Sequence, residues 1–496
     1  MGLMGPLLLT LAALAVTVFL LRRRRQPSSK TSKPLASSGT LSELMKNGHR
    51  ILDWTTELLS SSQTGTVTTF MGVVTANPSN VEHILKSHFP NYPKGSHSTT
   101  ILSDFLGAGI FNSDGEHWRL QRKTASLEFT TKSIRSFVSS NVRLETSSRL
   151  LPVLHSFARS GQIVDLQDLF DCLAFDNVCQ VTFGYDPARL DSSGDPDSVA
   201  FSRAFDRATA LSVRRFSHPF PFTWKLLRFL NAGYERELKA EVAKVHRFAM
   251  QVVRRRKKDG DLGDDLLSRF IAEADYSDEF LRDIIISFVL AGRDTTSATL
   301  TWFFWLIASR PEVKARVLDE IRAAREQERE RTGTATSEAV LTLDQVRGMD
   351  YLHAALSETL RLYPPVPLQT RACAEDDLLP DGTPVKKGST VMYSAYAMGR
   401  SESIWGEDWK EFRPERWLEN GVFRPASSFR FPVFHAGPRM CLGKDMAYIQ
   451  MKAVAAAVME RFELEVVDEE KPREPEFTMI LRMKGGLPVR IREKEF

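Results

Sequence analysis

The chain has 496 residues, of which 42 % are apolar and 26 % charged, with a formal charge of +4 and four cysteines. This composition excludes a disordered or fibrous chain, and four cysteines in such a length exclude a secreted disulfide scaffold. Arg22, Arg23, Arg24 and Arg25 carry the only charged side chains in residues 1–25, so the remaining body is balanced and offers no charge argument for nucleic-acid binding.

Residues 1–21 have no charged side chain, and 7–21 read LLLTLAALAVTVFLL. As an α-helix such a stretch reaches about 30 Å, the hydrocarbon thickness of a bilayer. It reads as a single membrane-anchor helix. A cleaved signal peptide is the alternative, but no basic residue precedes the run and no small-x-small site precedes the arginines. Arginines that follow the run stay in the cytosol, and the body stays with them, its thiols reduced. The segment 22–34 is basic, polar and proline-punctuated, and reads as a hinge.

The body, 35–496, shows no internal repeat and reads as mainly α with a smaller β-rich part, chiefly 64–77 and 380–397. TVTTFMGVVTAN (66–77) has the look of a strand. The segment 187–200 reads as a loop and 254–265 as a charged, solvated connection. From 283 to 310 a helical pattern with apolar residues on all sides ends at Pro311. A second membrane span is the competing reading, but Arg293 and Asp294 near its middle would be expensive in lipid. A buried helix that carries Ala291, Gly292, Asp294, Thr295 and Thr296 must have something lying against it. After the exposed connection 326–339, Glu358 and Arg361 sit at i, i+3 on a helix that stops at Pro364–Pro365. Such a pair is ordinarily a surface ion pair worth a few tenths of a kcal/mol. TPVKKGSTVMYSAYA (383–397) has a Gly388 turn between strand-like runs, and FELEVV (462–467) and LPVRI (487–491) read as further strands.

Residues 434–443 read FHAGPRMCLG. Its glycines permit a tight loop and close backbone approach. Backbone amides past Cys441 can point at the sulfur, and Arg439 offers a nearby positive charge. A lone cysteine is usually a small buried hydrophobe; a thiolate held in this way suits an axial metal ligand. Phe434, Gly437, Arg439, Cys441 and Gly443 together make a five-position pattern that resembles the haem-binding loop of the cytochrome P-450 family, the haem-thiolate monooxygenases.

The resemblance implies haem b as cofactor with Cys441 as its proximal ligand. It joins Glu358 and Arg361 to Arg416 of FRPERW (412–417) in a buried triad that holds the cysteine loop. It makes AGRDTT (291–296) the oxygen-binding segment: Ala291 leaves space above the iron, Thr295 bonds the carbonyl four residues back, and Asp294 relays protons. WRLQR (118–122) resembles the segment whose Trp118 and Arg122 hold a haem propionate, with Arg371 and Arg439 as further propionate partners. No GxGxxG signal is present, so electrons come from a separate NADPH–haemoprotein reductase in the same membrane, the endoplasmic reticulum, with the catalytic domain cytosolic. The likeness runs to about residue 486, although the hinge lacks the family's dense Pro-Pro-Gly-Pro run.

AGRDTTSATLTWFFWLI, NYPKG (91–95), LLPDGTPVKKG (378–388) and PVFHAGPRMCLGKDMA (432–447) resemble the plant fatty-acid ω-hydroxylase branch. That implies an apolar substrate entering from the bilayer, a long fatty acid hydroxylated at its terminal carbon. A jasmonate–amino-acid conjugate and a sterol side chain are the alternatives within the branch. By position, Phe105, Leu106, Phe111, Val366, Phe477 and Met479 are pocket candidates, each equally readable as plain core. A reductase-independent haem-thiolate isomerase or dehydratase, or a haem sensor, is the other class. Such relatives tend to lose the acid–alcohol pair or alter the cysteine loop, and this chain keeps both.

Overall fold

A computed structural model describes residues 39–495 apart from 192–194, 217, 219, 260–262, 264 and 334–339. The anchor read at 1–21 and the hinge at 22–34 lie outside the described residues. Among the described residues no helix is long and apolar enough to cross a membrane. The structure is mainly helical with small sheets, as the composition and periodicity anticipate.

The strand read at 66–77 is a hairpin. β1 (Thr66–Thr69) and β2 (Gly72–Thr75) pair antiparallel with Thr66 opposite Thr75. Later strands β3 (Leu368–Ala372) and β4 (Thr390–Ser394) complete a four-stranded sheet in the order β1-β2-β4-β3, where β2 and β4 run parallel. The strand read through 397 stops at Ser394, whose hydroxyl accepts from Ala397 N at 3.0 Å and starts a short helix, Ala395–Gly399. Val73, Val74, Tyr393 and Ala436 share one buried cluster, so this sheet backs the chain just before Cys441. The two strands read near the carboxyl end pair with each other, Phe462–Val466 against Pro488–Glu493.

Eight helices frame the interior: α1 (Gly95–Leu106), α2 (Gly115–Ser126), α3 (Leu166–Phe183), α4 (Pro196–Arg214), α5 (Asp278–Val289), α6 (Thr295–Ala308), α7 (Asp350–Leu362) and α8 (Lys444–Arg461). The loop read at 187–200 ends early because Asp195 caps α4, accepting from Asp197 N at 3.0 Å. The charged stretch from 254 to 259 belongs to a helix, Tyr234–Asp259, with Arg256, Lys257 and Lys258 in its last turn, where the helix dipole favours them.

The long central helix exists as α5, a π-turn at Leu290–Asp294 and α6. It starts five residues before the expected 283, because Ser277 accepts from Phe280 N at 3.2 Å and acidic Asp278 and Glu279 occupy the first turn. Burial on all sides is real: Trp302, Phe303, Phe304 and Leu306 sit in the largest core cluster with residues of α7 and α8. Two of its buried hydroxyls bond back within the helix, while that of Ser297 donates to Asp171 Oδ1 of α3 at 2.5 Å. Thr299 donates to Thr295 O at 2.7 Å and Thr301 to Ser297 O at 2.8 Å. α3 crosses it at the π-turn, where a Cβ on Gly292 would lie 2.5 Å from Val178 Cγ2, so only glycine allows this approach.

Candidate active site

Between the central helix and the cysteine loop lies a cavity of about 260 Å³. The central helix contributes Phe288, Ala291 and Gly292 of its π-turn, Thr295 and Thr299; the loop contributes Phe434, His435, Arg439, Cys441 and Gly443.

The cysteine loop is set by backbone. His435 and Gly437 have positive φ, +58° and +62°, and Cys441 N donates to Phe434 O at 2.8 Å. Gly437 does not line the cavity. A Cβ there would sit 2.0 Å from Leu85 O, so its function is to let the loop pass close to that carbonyl. Gly443 lines the cavity and its backbone N–H points at the Cys441 sulfur. Cys441 exposes surface to the cavity while protein encloses it from bulk solvent. Burial pushes its thiol up; the Gly443 amide and the charges of Arg122 and Lys444 pull the other way.

At one end of the cavity cations converge. Trp118 is covered by the Arg439 guanidinium at 4.3 Å and by Arg122 at 5.9 Å. Arg122 donates to Met440 O at 2.7 Å; Arg439 donates to Ser113 O at 3.0 Å and Asp114 Oδ1 at 2.6 Å. Arg371 is buried and donates to Thr370 O, while its Nε and Nη2 have no partner, nor has Arg439 Nε. Two further groups join them that the sequence reading did not assign, Lys94 and His435. Lys94 is held well below its ordinary value by burial first, then by Arg371 and Arg439; His435 is lowered by burial and Arg371. Burial lowers Arg371, and burial with the charge of Arg371 brings Arg439 down to about 10. Buried cations that repel one another, with donors left unpaired, are complementary to a ligand carrying anionic groups. Beside them lie an apolar slot and a sulfur. These residues fit haem, whose two propionates would engage the cations and whose iron would meet Cys441.

The triad read from the sequence is assembled and buried. Glu358 Oε1 accepts from Arg361 Nη2 at 2.7 Å, Arg416 Nε at 2.8 Å and Arg413 N at 2.9 Å. Glu358 Oε2 accepts from Arg361 Nε at 2.8 Å and from Trp417 Nε1 at 2.9 Å, a partner the sequence did not reveal. Trp417 packs on Phe431 at 4.8 Å, three residues before Phe434. Ser357 Oγ meets Tyr448 Oη of α8 at 2.9 Å, and the Phe434 ring lies 5.3 Å from Tyr448. The triad thus reaches the cysteine loop through packed rings.

On the central helix, Thr295 Oγ1 donates to Ala291 O at 2.7 Å across the π-turn. Asp294 does not face the cavity, contrary to a simple pairing with Thr295. It lines a polar cleft on another side of the helix, with Asp206, Arg203 and Arg482. Successive helical residues point about 100° apart, so Asp294 and Thr295 present different faces. Arg293, also buried, lies between Asp206 at 2.8 Å and Asp294 at 3.5 Å. Burial, aided by Asp206 and opposed by Arg293, pushes Asp294 up to about 7, and its Oδ1 has no hydrogen-bond partner.

Of the pocket candidates, Phe111 and Val366 line the cavity. Phe105, Leu106, Phe477 and Met479 do not. Phe105 and Leu106 end α1 and pack in the second core cluster, where Phe105 meets Phe205 of α4 at 5.0 Å. Phe477 packs with Leu52, Tyr396 and Leu481, and Met479 against the second cluster. Ile110, Phe288 and Val178 line the cavity without having been named; apolar side chains carry no sequence mark that separates wall from core. His83, His88 and Asp377 also lie near one another, away from the cavity, where Asp377 already accepts from Tyr92 at 2.8 Å and meets His83 at 2.9 Å.

The cytochrome P450 family model matches residues 39–489. Cytochrome P450 CYP94D108 of Paris polyphylla is 64 % identical over 473 residues, covering 95 % of this chain and 94 % of that protein. Cytochrome P450 94A1 of Vicia sativa is 44 % identical over 475 residues, 92 % of this chain and 89 % of that protein. Cytochrome P450 94B1 of Arabidopsis thaliana is 45 % identical over 489 residues, 95 % of this chain and 92 % of that protein.

Proposed function

The chain belongs to the cytochrome P450 family, and from that premise we propose that it hydroxylates the terminal carbon of a long aliphatic chain, a fatty acid of about twelve to eighteen carbons. Membership makes it a haem-dependent monooxygenase that uses O2 and draws electrons from an NADPH-dependent reductase. The observation that carries the reading is the apolar wall that Ile110, Phe111, Phe288, Leu360 and Val366 form in the cavity that Thr295 and Cys441 also line. The resemblance to the plant ω-hydroxylase branch supplies the chain length. The same proposal sets the catalytic domain on the cytosolic face of the endoplasmic reticulum membrane, with residues 1–21 as the tether.

Haem held by a thiolate supplies oxygen activation and insertion of one oxygen atom into a C–H bond. Cys441 Sγ would hold the iron in this reading. Lys94, Arg122, Arg371 and Arg439 would hold the propionates. Thr295 Oγ1 presents a hydroxyl to the cavity. Asp294, its carboxyl raised by burial and open to the polar cleft on another side of the helix, would take up a proton there. Glu358, Arg361 and Arg416 keep the cysteine loop in register.

Terminal hydroxylation needs geometric control. A terminal methyl C–H is stronger than an internal one by a few kcal/mol, which alone disfavours the end carbon by a factor of tens. The wall must hold the chain end forward and deny access to inner carbons. Phe111 and Val366 are the side chains in place for this; Phe477 is not. The test is reconstitution with reductase and NADPH on lauric, palmitic and oleic acids, with products identified by mass spectrometry. Terminal alcohols are expected. Mid-chain products, or clean oxidation of a jasmonate conjugate or sterol side chain with no fatty-acid turnover, would overturn the substrate while leaving the monooxygenase standing.

A further inference from the structure

The loop 107–113 carries Ile110 and Phe111 into the cavity wall, and it is tied to the central helix by one carboxylate. Asp283, in the second turn of α5, is buried, and its Oδ2 accepts from Ala108 N at 2.8 Å. Its Oδ1 is held by Arg282 through Nε at 2.9 Å and Nη2 at 2.7 Å. The loop is shaped around this group. Gly107 has φ +53°, and a Cβ there would lie 1.9 Å from Asp283 Oδ2. A Cβ on Gly109 would lie 2.1 Å from Ser287 Oγ, one turn further along the helix. Around the rest of the loop, Asn112 Nδ2 donates to Gly107 O at 2.7 Å and Thr99 O at 3.0 Å, and Gln121 Nε2 donates to Ala108 O at 2.9 Å. Asp283 and Ser287 lie two turns and one turn before Ala291, on the stripe that continues to Thr295. One rigid element therefore carries both the oxygen-side wall of the cavity and the anchor of the loop that closes it.

We propose that Asp283 is a positioning residue of this enzyme: by holding Ala108 it fixes Ile110 and Phe111, and so sets which carbon of the substrate chain reaches the reacting position. The inference rests on the substrate reading above for its regiochemical consequence, but not for the loop order itself. Loss of the carboxylate leaves the Ala108 amide without its acceptor and Arg282 without its partner. The loop then opens more often around Ala108 and the wall it carries loosens, while its far end, where Ser113 O accepts from Arg439, and Asp114 beyond it stay held.

The experiment uses the full-length holoenzyme with Asp283→Asn, which keeps the volume, and Asp283→Ala. Hydrogen exchange of the peptide spanning 107–113 is expected to speed up about tenfold in the alanine variant and less in the asparagine variant, with the reduced CO spectrum and haem content unchanged. The ratio of affinities for 1-dodecylimidazole and 1-methylimidazole, read from their spectral shifts, should change several-fold, and terminal alcohol from lauric acid should give way to adjacent-carbon products. Unaltered exchange and unaltered imidazole discrimination would overturn the proposal. Loss of haem in Asp283→Asn would equally overturn it, by showing a role in the fold at large. If wild type turns over no fatty acid, the substrate reading fails, and the exchange and imidazole arms still decide the role of Asp283.

Discussion

Glu358 accepts five hydrogen bonds from four partners in a buried site, and its replacement by glutamine tests how the cysteine loop is held. The change keeps shape and removes charge. One of the two carboxylate oxygens becomes an amide that must face donors: either Arg361 Nε and Trp417 Nε1, or Arg361 Nη2, Arg416 Nε and Arg413 N. Glu358 and Arg361 are fully buried and the Arg416 side chain is 9 % exposed, so water offers no replacement. Breaking one side of a buried ion pair costs about 3–5 kcal/mol. Against a total stability of about 5–15 kcal/mol, that is about a fifth or more. The loss should appear first in the cysteine loop, because Trp417 supports Phe431 and Phe434 lies three residues on. Thermal unfolding followed by circular dichroism should shift down by several degrees, and the ratio of haem absorbance to protein should fall further than helix content does. An internal control has the same spacing: Glu116 and Arg119 pair at i, i+3 with side chains 83 % and 65 % exposed. Glu116→Gln should change neither reading. Wild-type melting and full haem retention in Glu358→Gln would refute the argument that burial, not pairing, gives the triad its weight.

Thr295→Ala should leave haem content and substrate-induced spectral shifts intact, since the hydroxyl's bond is local, to Ala291 O, while product per NADPH falls and hydrogen peroxide rises; unchanged coupling would remove Thr295 from the proton path. Glu145 is fully buried beside Asp176, and burial first, then Asp176, pushes its carboxyl up to about 8 despite Arg149. The native state therefore keeps a proton that the unfolded chain releases near pH 4.5, so this contribution is complete at low pH and is lost as pH rises toward 8. Glu145→Gln should flatten the decline of melting temperature between pH 5 and 8, and an unchanged slope would refute the assignment.

What the sequence determined by itself was whatever local chemistry announces. The Cys441 loop is legible because glycine, arginine and cysteine at fixed spacing answer one backbone problem. The long central helix is legible because apolar residues on every side have no other explanation than burial. Thr295 bonding back to Ala291 follows from four-residue spacing alone. Tertiary structure decided what depends on distant partners. Glu358 and Arg361 spell an ordinary surface pair until Arg416 and Trp417 arrive from some 58 residues away and exclude water. Lys94 and His435 join the cationic end only because separate segments converge there. Asp294 was expected to relay protons with Thr295, but it opens on a different cleft, since successive helical residues point about 100° apart and distant segments decide what each face meets. Phe105, Leu106, Phe477 and Met479 read as well for a pocket as Phe111 and Val366 do. An apolar side chain satisfies the same hydrophobic demand in a core or in a cavity wall, so only packing separates the two.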